Sequence, residues 1–105
     1  MTEKKEIVYT TFQDFYPFYL SEHSNLINRK LHIMGTSIVI LLWCYVFFTG
    51  QYNLLWYTPL IGYGFAWVGH FFFEKNKPAT FKYPLFSLRG DFKMWYECLT
   101  GQIPL

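Results

Sequence analysis

Between Lys30 and Glu74 the chain carries no Asp, Glu, Lys or Arg. A small soluble domain would break such a run, because each of its helices needs a wet face. A bilayer core of ~30 Å is crossed by about 20 apolar residues in helical form. The gap of 43 residues, 31–73, therefore predicts two transmembrane spans and a short turn. The first is expected over 25–49, counting its polar extension, and the second over 54–74, with the turn at 50–53. Pro59 falls in the first turns of the second span, where a missing N–H is tolerated.

The flanks carry a different pattern. Residues 1–7 are charged and predict a frayed start. Thr11 followed by Asp14 predicts the start of a helix over 11–22, with Pro17 near its first turn. Phe12, Phe15, Tyr16 and Tyr19 give that helix an aromatic face, suited either to the membrane interface or to packing on the protein's own helices. Residues 21–25 (SEHSN) compete for backbone hydrogen bonds and predict a break with a fresh N-cap. Residues 75–83 are polar and basic, with Pro78 and Pro84 as breakers. A last amphipathic helix is expected over 86–99, with Leu88, Phe92, Trp95 and Leu99 on its apolar stripe and Gly101 at its C-terminus. The predicted fold is thus an all-α membrane protein, residues 1–105 as a single domain. A two-helix transmembrane hairpin is flanked by interfacial amphipathic helices.

Composition adds orientation. Net charge is only +2, and the basic residues form no stripe, which gives no case for nucleic acid. Arg29 and Lys30 precede the first span, and Lys75, Lys77 and Lys82 follow the second. The turn between the spans has no basic residue. The positive-inside rule then puts both termini in the cytosol of a multi-pass protein of a bacterial inner membrane or endoplasmic reticulum. No cleavable signal peptide is expected. Cys44 and Cys98 lack metal-site or redox spacing and read as free thiols. Two spans make a thin wall, which invites a homo-oligomer.

Chemistry enters with His23, His32 and His70. His32 and His70 lie about 19 residues either side of the turn centre, so antiparallel helices rising 1.5 Å per residue bring them to one depth, near the cytosolic boundary. Gly62, Ala66, His70 and Glu74 share an i, i+4 row. The small residues would admit the neighbouring helix, and the row would end in an imidazole and a carboxylate. Such a pair serves as metal ligands, or as ligand and supporting partner. The bland alternative is a bundle-bonded histidine and a lysine-paired Glu74. In one unbroken helix His23 would face away from His32, whereas the break at 21–25 lets it fold back. Asn28 lies between them, and Arg29 is the nearest fork for a lipid carboxylate, if it is not simply a topology-setting charge. Imidazoles with a carboxylate suit iron, zinc or manganese, and with open positions suit a non-haem iron oxygenase.

The stretches FYPFYLSEHSNLINRKLH (15–32) and FAWVGHFFFEKNKPATF (65–81) resemble the two signature regions of the membrane 2-hydroxy fatty acid dioxygenase family. The core running from Gly69 to Ala79 carries the most specific part. The resemblance implies an Fe(2+)-dependent oxidoreductase of fatty acid alpha-oxidation. It would use O2 to shorten a 2-hydroxy fatty acid by one carbon, without 2-oxoglutarate. It implies metal ligation by His23, His32 and His70, with Glu74 as ligand or supporting partner and Asn28 at the catalytic site. Arg29 stands for substrate binding, and Asp91, outside the matched regions, for an additional ligand. Longer fungal members carry further hydrophobic segments between the two regions, where this chain has a short turn. Two competing readings remain: a haem-binding electron carrier using His32 and His70, and a non-enzymatic membrane scaffold.

Overall fold

A computed structural model describes residues 8–105, and the charged start at 1–7 lies outside the described residues. Among them the chain is all-helical, with no strand. Helix α1 (Phe12–Ser21) is capped by Thr11, whose side chain accepts from the Asp14 amide at 3.2 Å; Pro17 lies inside it. Helix α2 (Leu26–Thr49) starts at Asn25, whose side chain accepts from the amides of Ile27 and Asn28. That cap satisfies two of the donors a helix start leaves open. It ends at Gly50, which adopts φ 71°, a left-handed stop favoured by glycine. A 3-10 turn (Tyr52–Trp56), helix α3 (Tyr57–Val68) and a π turn (Gly69–Glu74) follow without interruption. A second 3-10 turn (Ala79–Phe81) leads into α4 (Pro84–Leu99), with proline in its first turn.

Helices α2 and α3 run antiparallel and in contact. Trp43 Nε1 donates to Thr58 Oγ1 at 2.9 Å, and Gly35 packs so closely on Phe65 that an added Cβ would lie 2.8 Å from the Phe65 Cβ. Helix α2 is long and apolar enough to cross a membrane. The chain from 52 to 74 is split among three helical forms, none long enough alone to span a bilayer. The close approach comes from Gly35 and Gly69, and the expected role of Gly62 is corrected: its added Cβ would meet nothing within 4 Å.

The aromatic face of α1 turns inward. Phe12, Phe15, Tyr16 and Tyr19 form a core with Ile33 of α2 and Met94 and Cys98 of α4. The Tyr19 ring lies on Gly90, where a Cβ would be 3.0 Å away. Tyr16 donates to Glu97 and Tyr19 donates to Asp91, fastening α1 to α4. Burial, reinforced by these carboxylates, pushes both phenols above their ordinary pKa, so each remains a donor. The buried face of α4 is Ser87, Gly90, Met94 and Cys98. Leu88 and Leu99 of the expected apolar stripe are exposed. Trp95 Nε1 donates to Ser37 Oγ of α2 at 2.9 Å.

Candidate metal centre

Three separate elements deliver the three histidines. His23 sits in the bend between α1 and α2, His32 two turns into α2, and His70 in the π turn. All three are buried, and one nitrogen from each lies within 4.8 Å of the others. The rings stand 4.3, 4.6 and 5.0 Å apart, centroid to centroid, steeply inclined to one another. Two local features allow this. The bend carries His23 back over the start of α2, and Gly69 lets the π turn approach α2. A Cβ at Gly69 would lie 2.0 Å from Asn28 Oδ1.

Each imidazole is held from outside. His23 Nδ1 donates to the Tyr19 carbonyl at 2.7 Å. His70 Nδ1 donates to Asn76 Oδ1 at 2.7 Å, and the Asn76 amide is oriented by donating to Glu22. His32 Nδ1 lies 3.5 Å from the Asp91 carboxylate, which also accepts from Tyr19. For His23 and His70 the outer acceptor on Nδ1 fixes the tautomer that leaves Nε2 bare, the arrangement found behind metal-ligating histidines. The His23 and His32 Nε2 atoms then face each other at 3.1 Å. Two bare lone pairs at that distance repel unless a cation or proton sits between them. If His32 Nε2 carried the proton, its bare Nδ1 would face the Asp91 carboxylate instead. Burial, then the neighbouring imidazoles, lowers the His23 pKa well below 6.5, favouring the neutral form a metal needs. Neutral imidazoles suit iron, zinc, copper or nickel. His23 stands as close to His32 and to His70 as those two stand to each other, so a flat macrocycle between them would collide with it.

The other expected site residues lie around this cluster. Asn28 is fully buried behind it, donating toward Glu74 Oε1 at 3.2 Å, while its own Oδ1 finds no partner among the described residues. Glu74 is not drawn to the imidazoles. Its carboxylate accepts from Asn25 N at 2.7 Å and Ser24 Oγ at 2.8 Å, closing the start of α2. With Ser24, Asn25 and Asn28 all donating to it, the Glu74 carboxylate is committed to the helix start and stands outside the group of close nitrogens. Arg29 is directed to backbone carbonyls, those of His23 at 3.2 Å, Ser24 and Pro104. Asp91 stands behind His32 rather than among the close nitrogens. The remaining supports are Asn76, which the sequence did not single out, and Tyr19, which it marked only as part of an aromatic face.

A cavity of about 320 Å³ opens from the three histidines and runs between α2, α3 and α4. Its walls are mostly apolar, with Val39, Gly62, Ala66 and Phe92 along its length. Among the described residues no Lys or Arg lines it; Asp91 is its charged group. Ser87, 4% exposed, is on its wall, and its hydroxyl finds no partner among the described residues.

A family model for 2-hydroxy-palmitic acid dioxygenase Mpo1-like proteins matches residues 9–103, nearly the whole chain, and the chain belongs to that family. No curated protein and no solved structure matches it.

Proposed function

We propose that this member of the dioxygenase family is an integral membrane, Fe(II)-dependent enzyme that converts a 2-hydroxy fatty acid and O2 into the fatty acid one carbon shorter, CO2 and water. The observation that carries the reading is the triangle of buried imidazoles, two of them hydrogen-bonded through Nδ1 to an outer acceptor, at the head of an apolar cavity. The balance closes without another reductant. The bond between the carboxyl carbon and the hydroxyl-bearing carbon breaks, four electrons pass to O2, and the two carbons leave as CO2 and as the new carboxyl group. Iron, when bound by His23, His32 and His70, supplies redox exchange with O2 and polarisation of the substrate's oxygens.

The chain's own residues do the rest. Tyr19, Asp91 and Asn76 keep the imidazoles in the ligating tautomer. Ser87, a cavity residue whose hydroxyl finds no partner among the described residues, takes the acid head in the part the sequence reading gave to Arg29. The apolar walls take the alkyl chain and keep water away. In this reading α2 and the segment 52–74 form a transmembrane hairpin, with the histidines at its cytosolic mouth.

The test uses detergent-purified protein prepared without oxygen. It is expected to hold one iron per chain and to release CO2 and the fifteen-carbon acid from 2-hydroxypalmitate. His70→Ala is expected to lose iron and turnover yet remain in the membrane fraction. Full turnover by His70→Ala would remove the ligand assignment, and a strong haem absorption band would replace it with an electron carrier.

A further inference from the structure

The cavity has a far end. His32 and Trp43 are 11 residues apart on α2, and Thr58 and His70 are 12 apart on the opposing segment. At 1.5 Å per residue these steps span about 16 and about 18 Å. At that depth the indole N–H of Trp43 donates to Thr58 Oγ1 at 2.9 Å, tying α2 to α3. The Trp43 ring also lies against Phe92 of α4, with centroids 5.7 Å apart. All three helices around the cavity thus meet at one residue, and Trp43, Thr58 and Phe92 all line it.

We propose that the Trp43–Thr58 pair is the end-stop of this channel and sets the longest acyl chain the protein accepts. The inference rests on the reading that a 2-hydroxy acid is the ligand, its head at the histidines. Carbon–carbon bonds of about 1.52 Å at tetrahedral angles advance an extended chain by about 1.25 Å per carbon. The channel therefore holds about 13 to 14 carbons beyond the hydroxyl-bearing carbon. With that carbon and the carboxyl carbon added, the fit is to an acid of about fifteen or sixteen carbons, the length in the family's name.

Gly62 supplies an independent handle. It lines the cavity, and a Cβ built there meets nothing within 4 Å, so a side chain starts into open channel space rather than into a neighbouring helix. It lies 8 residues from His70, about 12 Å up the channel, enough for about nine or ten carbons beyond the hydroxyl-bearing carbon.

The experiment compares intact wild-type protein, Trp43→Ala and Gly62→Leu across saturated 2-hydroxy acids of about ten to twenty carbons. Two readouts are taken: turnover in air, and anaerobic displacement of a fluorescent fatty acid. Trp43→Ala is expected to raise kcat/KM for the eighteen-carbon acid about tenfold or more relative to the sixteen-carbon acid. Gly62→Leu is expected to lose the sixteen-carbon acid by a similar factor and to keep the twelve-carbon acid. Displacement should follow the same lengths. Turnover with both variants showing the wild-type length profile overturns the end-stop and leaves the reaction standing. Displacement with the expected lengths but without turnover supports the end-stop and overturns the reaction. A protein that neither binds nor turns over any of these acids sinks both.

Discussion

Each histidine in the cluster has one nitrogen accounted for by the protein and one left for something else. The loosest of the three supports is the approach of the Asp91 carboxylate to His32 Nδ1, at 3.5 Å. A carboxylate behind an imidazole raises its basicity and fixes its tautomer. Asp91→Asn keeps an oxygen for the Tyr19 hydroxyl but removes the charge. It is expected to weaken metal affinity about 10- to 100-fold, read by competition with a chelating dye, with the helical content unchanged. At this scale the sequence showed His32 and His70, because they stood at the two ends of an uncharged run, and it reached His23 through the break at 21–25. It did not show Asn76. That residue is six positions past His70, off any helical face it shares. Only the reversal at Lys75, with φ 60°, brings its amide back.

At the scale of elements, the start of α2 is closed from two directions, by the Asn25 cap and by Glu74 arriving from the π turn. A carboxylate at a helix N-terminus meets the positive end of the dipole, and here it also accepts from Ser24, Asn25 and Asn28. Glu74→Gln is expected to cost about 1–2 kcal/mol of stability, measured as a lower unfolding midpoint, while iron content stays at the wild-type level. Loss of iron in that variant would return Glu74 to the ligand set. The break that frees His23 was legible, because SEHSN is rich in residues that bond their own backbone. The π turn was not, since its wider winding answers to what packs against it, here Asn28 on Gly69. The protein-facing side of α4, Ser87, Gly90 and Met94, was not legible either, because small and polar residues leave no apolar period to mark it.

At the scale of the whole molecule, polar groups are buried at the site while large apolar side chains cover the outside. The buried set includes three histidines, an asparagine and a serine, while Leu41, Phe47, Phe48, Trp56, Leu60 and Phe72 are each more than two-thirds exposed. The molecule measures 59 × 27 × 27 Å, and in water that apolar surface would drive association. A bilayer accepts it without cost, which supports the hairpin reading although only α2 is by itself long enough to cross. The segment 52–74 is split by helix type but continuous along the chain, and at its ends it is tied to α2 by Trp43–Thr58 and by Glu74–Asn25. If α2 crosses, a partner fastened to it at both ends crosses with it. Single cysteines at Gln51 and Gln102, in a chain carrying Cys44→Ala and Cys98→Ala, test this with an impermeant maleimide on sealed membranes. The expected result is labelling of the two sites from opposite faces. Labelling of both from one face would reduce the hairpin to a helix pair lying along the membrane, and would take the histidines away from its cytosolic mouth.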